Sequence, residues 1–429
     1  MAEPQIAAEA RYRNVDEARI VEMLLVHGWR FDVALGRRAA AEQAARAALE
    51  GLVALGLPYR QAPAGGRLFD PVETWNFVES AGLSLGDRTW EDHCVAAARR
   101  QAWEADPQAD PDWSRPPALE AFAPQHFAVT IWRTFNLNGY RPGDRVRLRL
   151  PLPIADPTLR DVSFEFLPPQ GVAVETQIAP ARLDAILRAP EDGQASIGVR
   201  AEFTACPALS RSAECVEPAE AALYIRPSEG LIKVSARVSA LAAELAGHDP
   251  DPLGAVRRFW DFVLDELACG AIHYDALDPA SPLDWVLAHG WYDCQAGSAL
   301  LTALCRARDI PARLVTGYML HLTAPAFHTW MEAWIEGRGW VPLDLACWEL
   351  ALGGRDADWR DYYFGRLDHR MVVERLPRLF SGPGAVRLPP AWRLLVSQEA
   401  RAGIATFEDV DTGALVYRER IEVERLDQR

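Results

Sequence analysis

The chain has 429 residues, of which 49% are hydrophobic and 24% are charged, a balance typical of a globular protein with large buried cores. This composition excludes a disordered chain, a collagen and a fibre, and the length predicts about two to four domains, because single cores stop growing well below this size. The formal net charge of −15 repels phosphate groups, so we expect neither nucleic acid nor a membrane surface as a partner.

Cysteine usage and the N-terminal residues predict the compartment. The seven cysteines form an odd set without a C-x-x-C pair, which argues against a disulfide framework and against a zinc knuckle. The first residues lack the basic and apolar regions of a secretory signal, and no apolar run approaches the ~20 residues of a membrane span. We therefore expect a soluble, cytoplasmic protein.

Region 1–118 is predicted to be helical. The alanine-rich stretch Arg38–Leu55 carries apolar residues on one face at a spacing of 3.6, which indicates an amphipathic helix. Four prolines between residues 107 and 117 mark a linker at the end of this region. It contains no chemical motif.

Region 119–225 alternates apolar and polar residues with a period of two, which is typical of strands. The predicted strands cover residues 129–134, 146–150, 161–167, 172–178 and 195–204. Many short strands separated by Pro, Gly and Asp favour an antiparallel, immunoglobulin-like β-sandwich domain.

Region 226–375 begins with helices and continues with strands, an order that indicates an α+β unit. The predicted helices are Val234–Ala246, Gly254–Leu267 and a cysteine-bearing helix, and the predicted strands lie near Arg313–Tyr318, Thr329–Ile335 and Trp340–Leu343. The last region, 376–429, is predicted to be a C-terminal β extension. Its strands are placed at Trp392–Ser397 and Ala414–Val423, with Asp411–Gly413 as the turn before the second.

The most informative stretch surrounds Cys294. Small and apolar residues dominate from Ala296 onward, which predicts a buried helix, and Asp293 is suited to cap its N-terminus. Cys294 then lies in the first turn, where free N–H groups and the positive end of the helix dipole stabilise a thiolate and an adjacent oxyanion. Cys305, in the same helix, is interpreted as a small buried hydrophobe.

A thiol nucleophile needs a base, and His328 is the leading candidate. It begins a predicted strand, which a turn at residues 336–339 connects to a second strand ending in Asp344. Such a hairpin brings Asp344 near the start of the first strand, where a carboxylate can orient the imidazole. Taken singly, each residue has a commoner structural explanation. Their order along the chain favours a catalytic triad.

These residues resemble the transglutaminase-like superfamily, which has a papain-like catalytic core. The resemblance covers roughly residues 225–375 and is carried by four ordered motifs: the Cys294 helix, Arg308–Tyr318, His328–Glu332 and Gly339–Asp344. The segment Tyr363–Asp368 is similar to one that follows the core in many bacterial members. The resemblance implies an α+β catalytic core over 226–375, and the β-sandwich predicted before it is similar to the β-domain that often accompanies this core. The residue pattern alone predicts the N-terminal helical region.

The resemblance also implies the roles of three residues. Cys294 is expected to be the nucleophile, His328 the general base and then acid, and Asp344 the residue that orients His328. The sequence departs from the family's pattern at Tyr292, where a Gly is usual, and at Asp309, where a helix-ending Gly is common. Asp tolerates a left-handed backbone better than most residues, so the second change is mild.

Three aromatic residues near the nucleophile, Trp285, Trp291 and Tyr292, are candidates for substrate binding. Packing in the core is the competing explanation for both tryptophans. The sequence shows no H-E-x-x-H motif, no paired-cysteine spacing and no glycine-rich phosphate loop. We therefore expect no metal and no cofactor.

The predicted function is acyl transfer through a thioacyl-enzyme on Cys294. The acyl donor is an amide, ester or thioester of a peptide, protein or small molecule, and water or an amine resolves the intermediate. The sequence does not decide between a hydrolase and a transferase, nor does it predict the oligomeric state. The alternative is a catalytically inactive transglutaminase-like scaffold that binds a protein partner.

Overall fold

The computed structural model describes residues 14–29, 36–81, 84–85, 88–89, 123–154, 157–209, 218–248, 250–274, 277–320, 325–345, 360–361, 363–378, 395–401, 404–409 and 417–426. The helices in this part of the chain are α1 (Glu17–Gly28), α2 (Arg38–Leu55), α3 (Pro71–Ala81), α4 (Pro218–Tyr224), α5 (Ala236–Ala246), α6 (Pro252–Glu266), α7 (Pro282–His289) and α8 (Cys294–Arg306). None of these helices is both long and apolar enough to cross a membrane.

The N-terminal region packs three helices around a core of their own. Helix α2 forms over the residues predicted, and it buries the predicted face against α1. The short strands here are β1 (Val15–Asp16), β2 (Arg60–Gln61), β3 (Arg67–Phe69), β4 (Ser84–Leu85) and β5 (Arg88–Thr89). Strands β1, β3 and β2 form an antiparallel sheet in that order, and β4 pairs with β5.

Two antiparallel sheets follow, built mainly from residues 125–205. Their strands are β6 (Gln125–Asn136), β7 (Arg145–Pro151), β8 (Leu159–Leu167), β9 (Glu175–Ala179), β10 (Arg182–Arg188) and β11 (Gln194–Ala205). One sheet has the order β7-β10-β9, and in the other β11 lies between β6 and β8. The buried side chains of both sheets belong to one core. Strand β10 was not predicted, because five consecutive residues of it are buried and the period of two is lost.

The C-terminal strands complete the larger of these sheets. They are β22 (Leu395–Arg401), β23 (Ile404–Asp409) and β24 (Tyr417–Leu426), and they extend the sheet to the order β22-β23-β24-β6-β11-β8. Strand β24 pairs with β6 from Tyr417 opposite Phe135 to Leu426 opposite His126. These strands therefore belong to the sheet of the preceding β region. The turn predicted at Asp411–Gly413 lies outside the described residues.

The α+β order predicted for the core is confirmed. Helices α5, α6 and α8 pack together and precede a four-stranded antiparallel sheet with the order β19-β18-β17-β21. The remaining strands are β12 (Ala208–Leu209), β13 (Ser228–Glu229), β14 (Ile232–Lys233), β15 (Ala268–Cys269), β16 (Trp291–Tyr292), β17 (Ala312–Met319), β18 (Ala326–Ile335), β19 (Gly339–Leu343), β20 (Arg366–Leu367) and β21 (Arg370–Arg375). Helix α8 lies on β18 and β17 and is buried from Gln295 to Arg306.

Asp309 follows the end of α8 and has the left-handed backbone that the sequence predicts at this position. Asp309 has a φ of 56°, in the region that Asp tolerates better than most residues. The N–H of Ile310 donates to the carbonyl of Cys305 over 3.0 Å, which closes the end of the helix. This turn reverses the chain into β17.

Buried polar contacts join the β region to the four-stranded sheet of the α+β core. The Tyr318 hydroxyl of β17 lies 3.1 Å from Oε1 of Glu419 in β24, whose Oε2 accepts from Arg133 of β6 over 2.7 Å. The N–H of Ile154 donates to the carbonyl of Val372 in β21 over 2.9 Å. The two parts therefore pack as one body around a shared hydrophobic cluster.

Candidate active site

The N-terminus of α8 places Cys294 as predicted. Asp293 is the N-cap, and its carboxylate accepts the N–H groups of Gln295 and Ala296 over 3.0 and 2.8 Å. Cys294 is the first residue of the helix and is half-buried. The N–H of a first helical residue has no acceptor within the helix, so it is available to an oxyanion formed beside the thiol.

A buried phenol supports this cap from the other side. The hydroxyl of Tyr274 lies 2.7 Å from both carboxylate oxygens of Asp293. Burial, followed by the charge of Asp293, raises the pKa of Tyr274 well above 10, so the phenol stays protonated and donates. Burial also raises the pKa of Asp293, although the N–H of Ala296 and the Tyr274 hydroxyl oppose the rise.

The hairpin of β18 and β19 brings the histidine and the aspartate together. The register pairs Ile335 with Gly339 and Met331 with Leu343, so Asp344 emerges diagonally opposite His328. Nε2 of His328 lies 2.7 Å from Oδ1 of Asp344, and Asp344 has no exposed surface. The predicted convergence of these two side chains therefore matches the geometry of the hairpin.

The surroundings of His328 favour its charged form. Burial lowers the pKa of this ring, but the negative charges of Asp344 and Cys294, together with the hydrogen bond that the ring donates to Asp344, outweigh burial and raise the pKa from 6.5 to about 10. The arrangement can therefore hold a proton on the imidazole beside a sulfur nucleophile.

One buried charge next to the aspartate was missed by the sequence analysis. Nη2 of Arg370 lies 3.0 Å from Oδ2 of Asp344, and Nε of Arg370 lies 2.5 Å from Oδ1 of Asp368. The hydroxyl of Tyr363 donates to Oδ2 of Asp368 over 3.3 Å. In the sequence, the one indication of this cluster was the resemblance of Tyr363–Asp368 to a family segment. That segment ends two residues before Arg370.

The three aromatic residues proposed for substrate binding differ in position. Tyr292 is fully buried and lies against Gly297, so contact with its ring would require the core to open. Trp285 is half-buried and stacks on His289, with ring centroids 4.2 Å apart. Trp291 is half-buried and packs over Gly270. Only the two tryptophans keep exposed surface for a ligand.

The second cysteine of α8 has the opposite environment to Cys294. Cys305 is 1% exposed, and burial raises its pKa to about 12. Such a thiol is protonated at neutral pH and cannot reach a reagent in solvent. Within the described ranges, no group of three or more His, Cys, Asp or Glu side chains is placed to hold a metal ion.

Comparison with protein families identifies the class of this core. Residues 239–345 match the model of the transglutaminase-like superfamily, a stretch that runs from α5 to the residue after Asp344. This part of the chain is therefore a transglutaminase-like core, as the sequence analysis expected. No curated protein matches the chain.

Comparison with solved structures gives matches of low sequence identity. A candidate cysteine protease from Cytophaga hutchinsonii shares 16% identity with a TM-score of 0.40, covering 70% of this chain and 98% of its own. The periplasmic domain of TgpA from Pseudomonas aeruginosa shares 18% identity with a TM-score of 0.30, covering 58% of this chain and 96% of its own. A candidate protease from Parabacteroides distasonis shares 16% identity with a TM-score of 0.24, covering 49% of this chain and 42% of its own. With TM-scores this low, the pairs superpose only loosely over their full lengths.

Proposed function

We propose that this protein catalyses acyl transfer through a thioacyl-enzyme on Cys294. The observation that carries the proposal is the convergence of a helix-start cysteine, a buried histidine and a buried aspartate, with His328 2.7 Å from Asp344 and the charge of Cys294 acting on the same imidazole. The acyl donor is an amide, an ester or a thioester. Water or an amine accepts the acyl group.

In the first half of the proposed reaction, His328 holds the proton of the Cys294 thiol. Its Nε2 is engaged by Asp344, so the transferred proton resides on Nδ1. The sulfur attacks the carbonyl carbon of the donor, and the carbonyl electron pair becomes an oxyanion beside the N–H of Cys294. His328 then gives its proton to the leaving group, whose bond to carbon breaks to form the thioester.

In the second half, the acceptor attacks the thioester carbonyl and gives its proton to His328. The carbon–sulfur bond breaks, and the thiolate leaves with the imidazolium beside it. Water as acceptor releases a carboxylic acid, whereas an amine gives a new amide. Asp344 keeps the imidazole oriented through both halves.

Intact-mass spectrometry tests this proposal directly. We would incubate the protein and Cys294→Ala with peptides, amino-acid esters and thioesters, with and without added amines. The expected result is an acyl adduct on the unsubstituted protein alone, which amine or water then removes. Cys269→Ala is the matched control, because Cys269 is also half-buried but lies in the short strand β15. An adduct that survived in Cys294→Ala would disprove the assignment of the nucleophile.

Alkylation by iodoacetamide tests the same thiol without a substrate. Cys294 and Cys269 are both half-buried, but only Cys294 begins a helix and interacts electrostatically with His328. We expect Cys294 to label at least about tenfold faster than Cys269 at neutral pH. Equal rates would favour the inactive scaffold. The cytoplasmic location, the acyl donor and any amine acceptor stay predictions.

A further inference from the structure

Arg370 is a buried charge that the proposed chemistry does not use. It is the first residue of β21, is 3% exposed, and lies opposite Met319 in the pairing of β21 with β17. Its Nη2 lies 3.0 Å from Oδ2 of Asp344, the carboxylate oxygen that does not bond His328. One carboxylate oxygen of Asp344 therefore faces His328, and the other faces Arg370.

A second carboxylate holds Arg370 from behind. Nε of Arg370 lies 2.5 Å from Oδ1 of Asp368, which is 3% exposed, and the Tyr363 hydroxyl reaches the other oxygen of Asp368. The guanidinium carbon of Arg370 also lies 5.7 Å from the ring centroid of Trp330. The Trp330 ring in turn stacks on the His328 ring, with centroids 6.4 Å apart. Arg370 is thus fixed by two carboxylates and an aromatic ring.

We propose that Arg370 is a positioning residue that fixes the Asp344 carboxylate and controls, through its charge, how tightly His328 holds its proton. Asp368 acts as the opposing charge that limits this effect. The inference rests on the proposed function, because it assigns a role in the same triad. It also concerns a measurable property of His328 that exists whether or not an acyl donor is found.

The geometry supports fixation of the carboxylate. A carboxylate bonded through one oxygen can rotate about its bond to Cβ, whereas one held at both oxygens cannot rotate without breaking a contact. A buried carboxylate also needs compensating charge, since burial without it costs several kcal/mol. His328 and Arg370 together supply that charge to Asp344, so the hydrogen bond to His328 keeps one orientation.

The charges around His328 come from three parts of the core. Cys294 faces the ring from α8, Asp344 from the end of β19, and Arg370 from β21 with Asp368 just before it. Tyr363 contributes a hydroxyl behind Asp368, and on the far side of Cys294 lie Tyr274 and Asp293. Among the ion pairs of the described residues, Arg370 is thus the guanidinium that faces Asp344, and His328 is the imidazole that does.

The proposal predicts opposite effects of two substitutions. Arg370→Gln removes a positive charge, so the proton shared by His328 and Asp344 is held more tightly and the pKa of His328 rises by about one unit. Asp368→Asn removes the opposing negative charge, so the pKa of His328 falls. Arg370→Lys keeps the charge and is expected to produce no rise. A purely structural role would not give shifts of opposite sign.

The experiment is an NMR titration of the histidine rings in the full chain. All variants are made in the Cys294→Ala background so that no thiol titrates with the ring, and His328→Gln in that background assigns the signal among the nine histidines. Arg133→Gln is the matched control, because Arg133 is 4% exposed and pairs with a buried glutamate in another sheet. It is expected to lower stability without moving the His328 titration.

The expected result is an upward shift in Arg370→Gln, a downward shift in Asp368→Asn and no shift in Arg133→Gln. Unchanged titration in the first two variants, shifts of the same sign, or an equal shift in Arg133→Gln would overturn the proposal. If Arg370→Gln does not fold, a downward shift in Asp368→Asn together with an unchanged titration in Arg370→Lys still supports the proposal, and an upward shift in Asp368→Asn overturns it. Absence of any acyl adduct on Cys294 would contradict the proposed function alone and would leave this titration as a separate test.

Discussion

The Tyr274 hydroxyl lies 2.7 Å from each carboxylate oxygen of Asp293, the residue directly before the candidate nucleophile. The same carboxylate caps α8 by accepting two backbone N–H groups. The peptide that leads into Cys294 is therefore held by a side chain from outside the helix as well as by the helix itself. Substitutions at Tyr274 or Asp293 are therefore expected to change the position of the Cys294 thiol.

Replacement of Asp293 by Ala is expected to destabilise the protein. The loss of an N-cap costs about 1 kcal/mol, and a buried Tyr274 hydroxyl left without its acceptor adds about 1–3 kcal/mol. Asp293→Asn keeps the cap acceptor and is the matched control, with a smaller expected loss. Urea unfolding followed by circular dichroism measures both. Equal stability of Asp293→Ala and the unsubstituted protein would show that this cap contributes nothing.

The parts of the site that the sequence predicted depend on local chemistry. Asp293 followed by a run of small and apolar residues is enough to indicate a capped, buried helix. A short turn, residues 336–338, between two strands is enough to bring His328 and Asp344 together, because pairing within a hairpin follows from the turn. The Cys–His–Asp arrangement could therefore be inferred before the fold was known.

The parts that were missed depend on pairing between distant segments. Arg370 reaches Asp344 because β21 pairs with β17 and residues 363–365 bond the end of β19, and nothing in the local pattern of these segments specifies those pairings. Likewise, β24 is recognisable as a strand, but its position beside β6 is decided by the packing of a shared core. Hydrophobic periodicity and turn residues predict the individual helices and strands. The order of strands in a sheet depends on contacts between distant segments, which the sequence does not display.

The raised pKa of His328 predicts a loss of stability at alkaline pH. A folded-state pKa of about 10, against about 6.5 in the unfolded chain, means that the native state binds the proton more tightly. The resulting stabilisation is complete below about pH 6.5 and is lost as the pH rises through 10, with a slope of at most about 1.4 kcal/mol per pH unit. Urea unfolding between pH 6 and 10 measures this slope.

Two variants make the pH measurement specific. His328→Gln should remove this part of the slope, so its stability should fall less between about pH 6.5 and 10 than that of the unsubstituted protein. His126→Gln is the matched control, because His126 lies on β6 and bonds Thr204 across the sheet. It should keep the full slope. A slope that is the same in His328→Gln and in the unsubstituted protein would contradict the prediction.

Gly317 is expected to tolerate no side chain. A Cβ at this position of β17 would lie 2.2 Å from the carbonyl oxygen of Met371 in the paired strand and 3.0 Å from Trp330. Backbone atoms in a central sheet cannot move aside, so Gly317→Ala should cost at least about 1–3 kcal/mol. Gly139→Ala is the matched control, because nothing lies within 4 Å of its Cβ. A similar unfolding midpoint for both variants would refute this expectation.

The buried pair of Arg133 and Glu419 joins the β region to the four-stranded sheet of the transglutaminase-like core. Both side chains are almost fully buried, and Glu419 also contacts Tyr318 of β17. Glu419→Ala leaves a buried guanidinium without its partner, so we expect a loss of about 3–5 kcal/mol. Arg133→Met combined with Glu419→Leu removes both charges and should recover most of that loss, because the desolvation penalty disappears with them. Chemical unfolding of Arg133→Met, Glu419→Leu and the variant that combines them gives the interaction energy of the pair. Additive losses in the double variant would mean that the two side chains do not act as a pair.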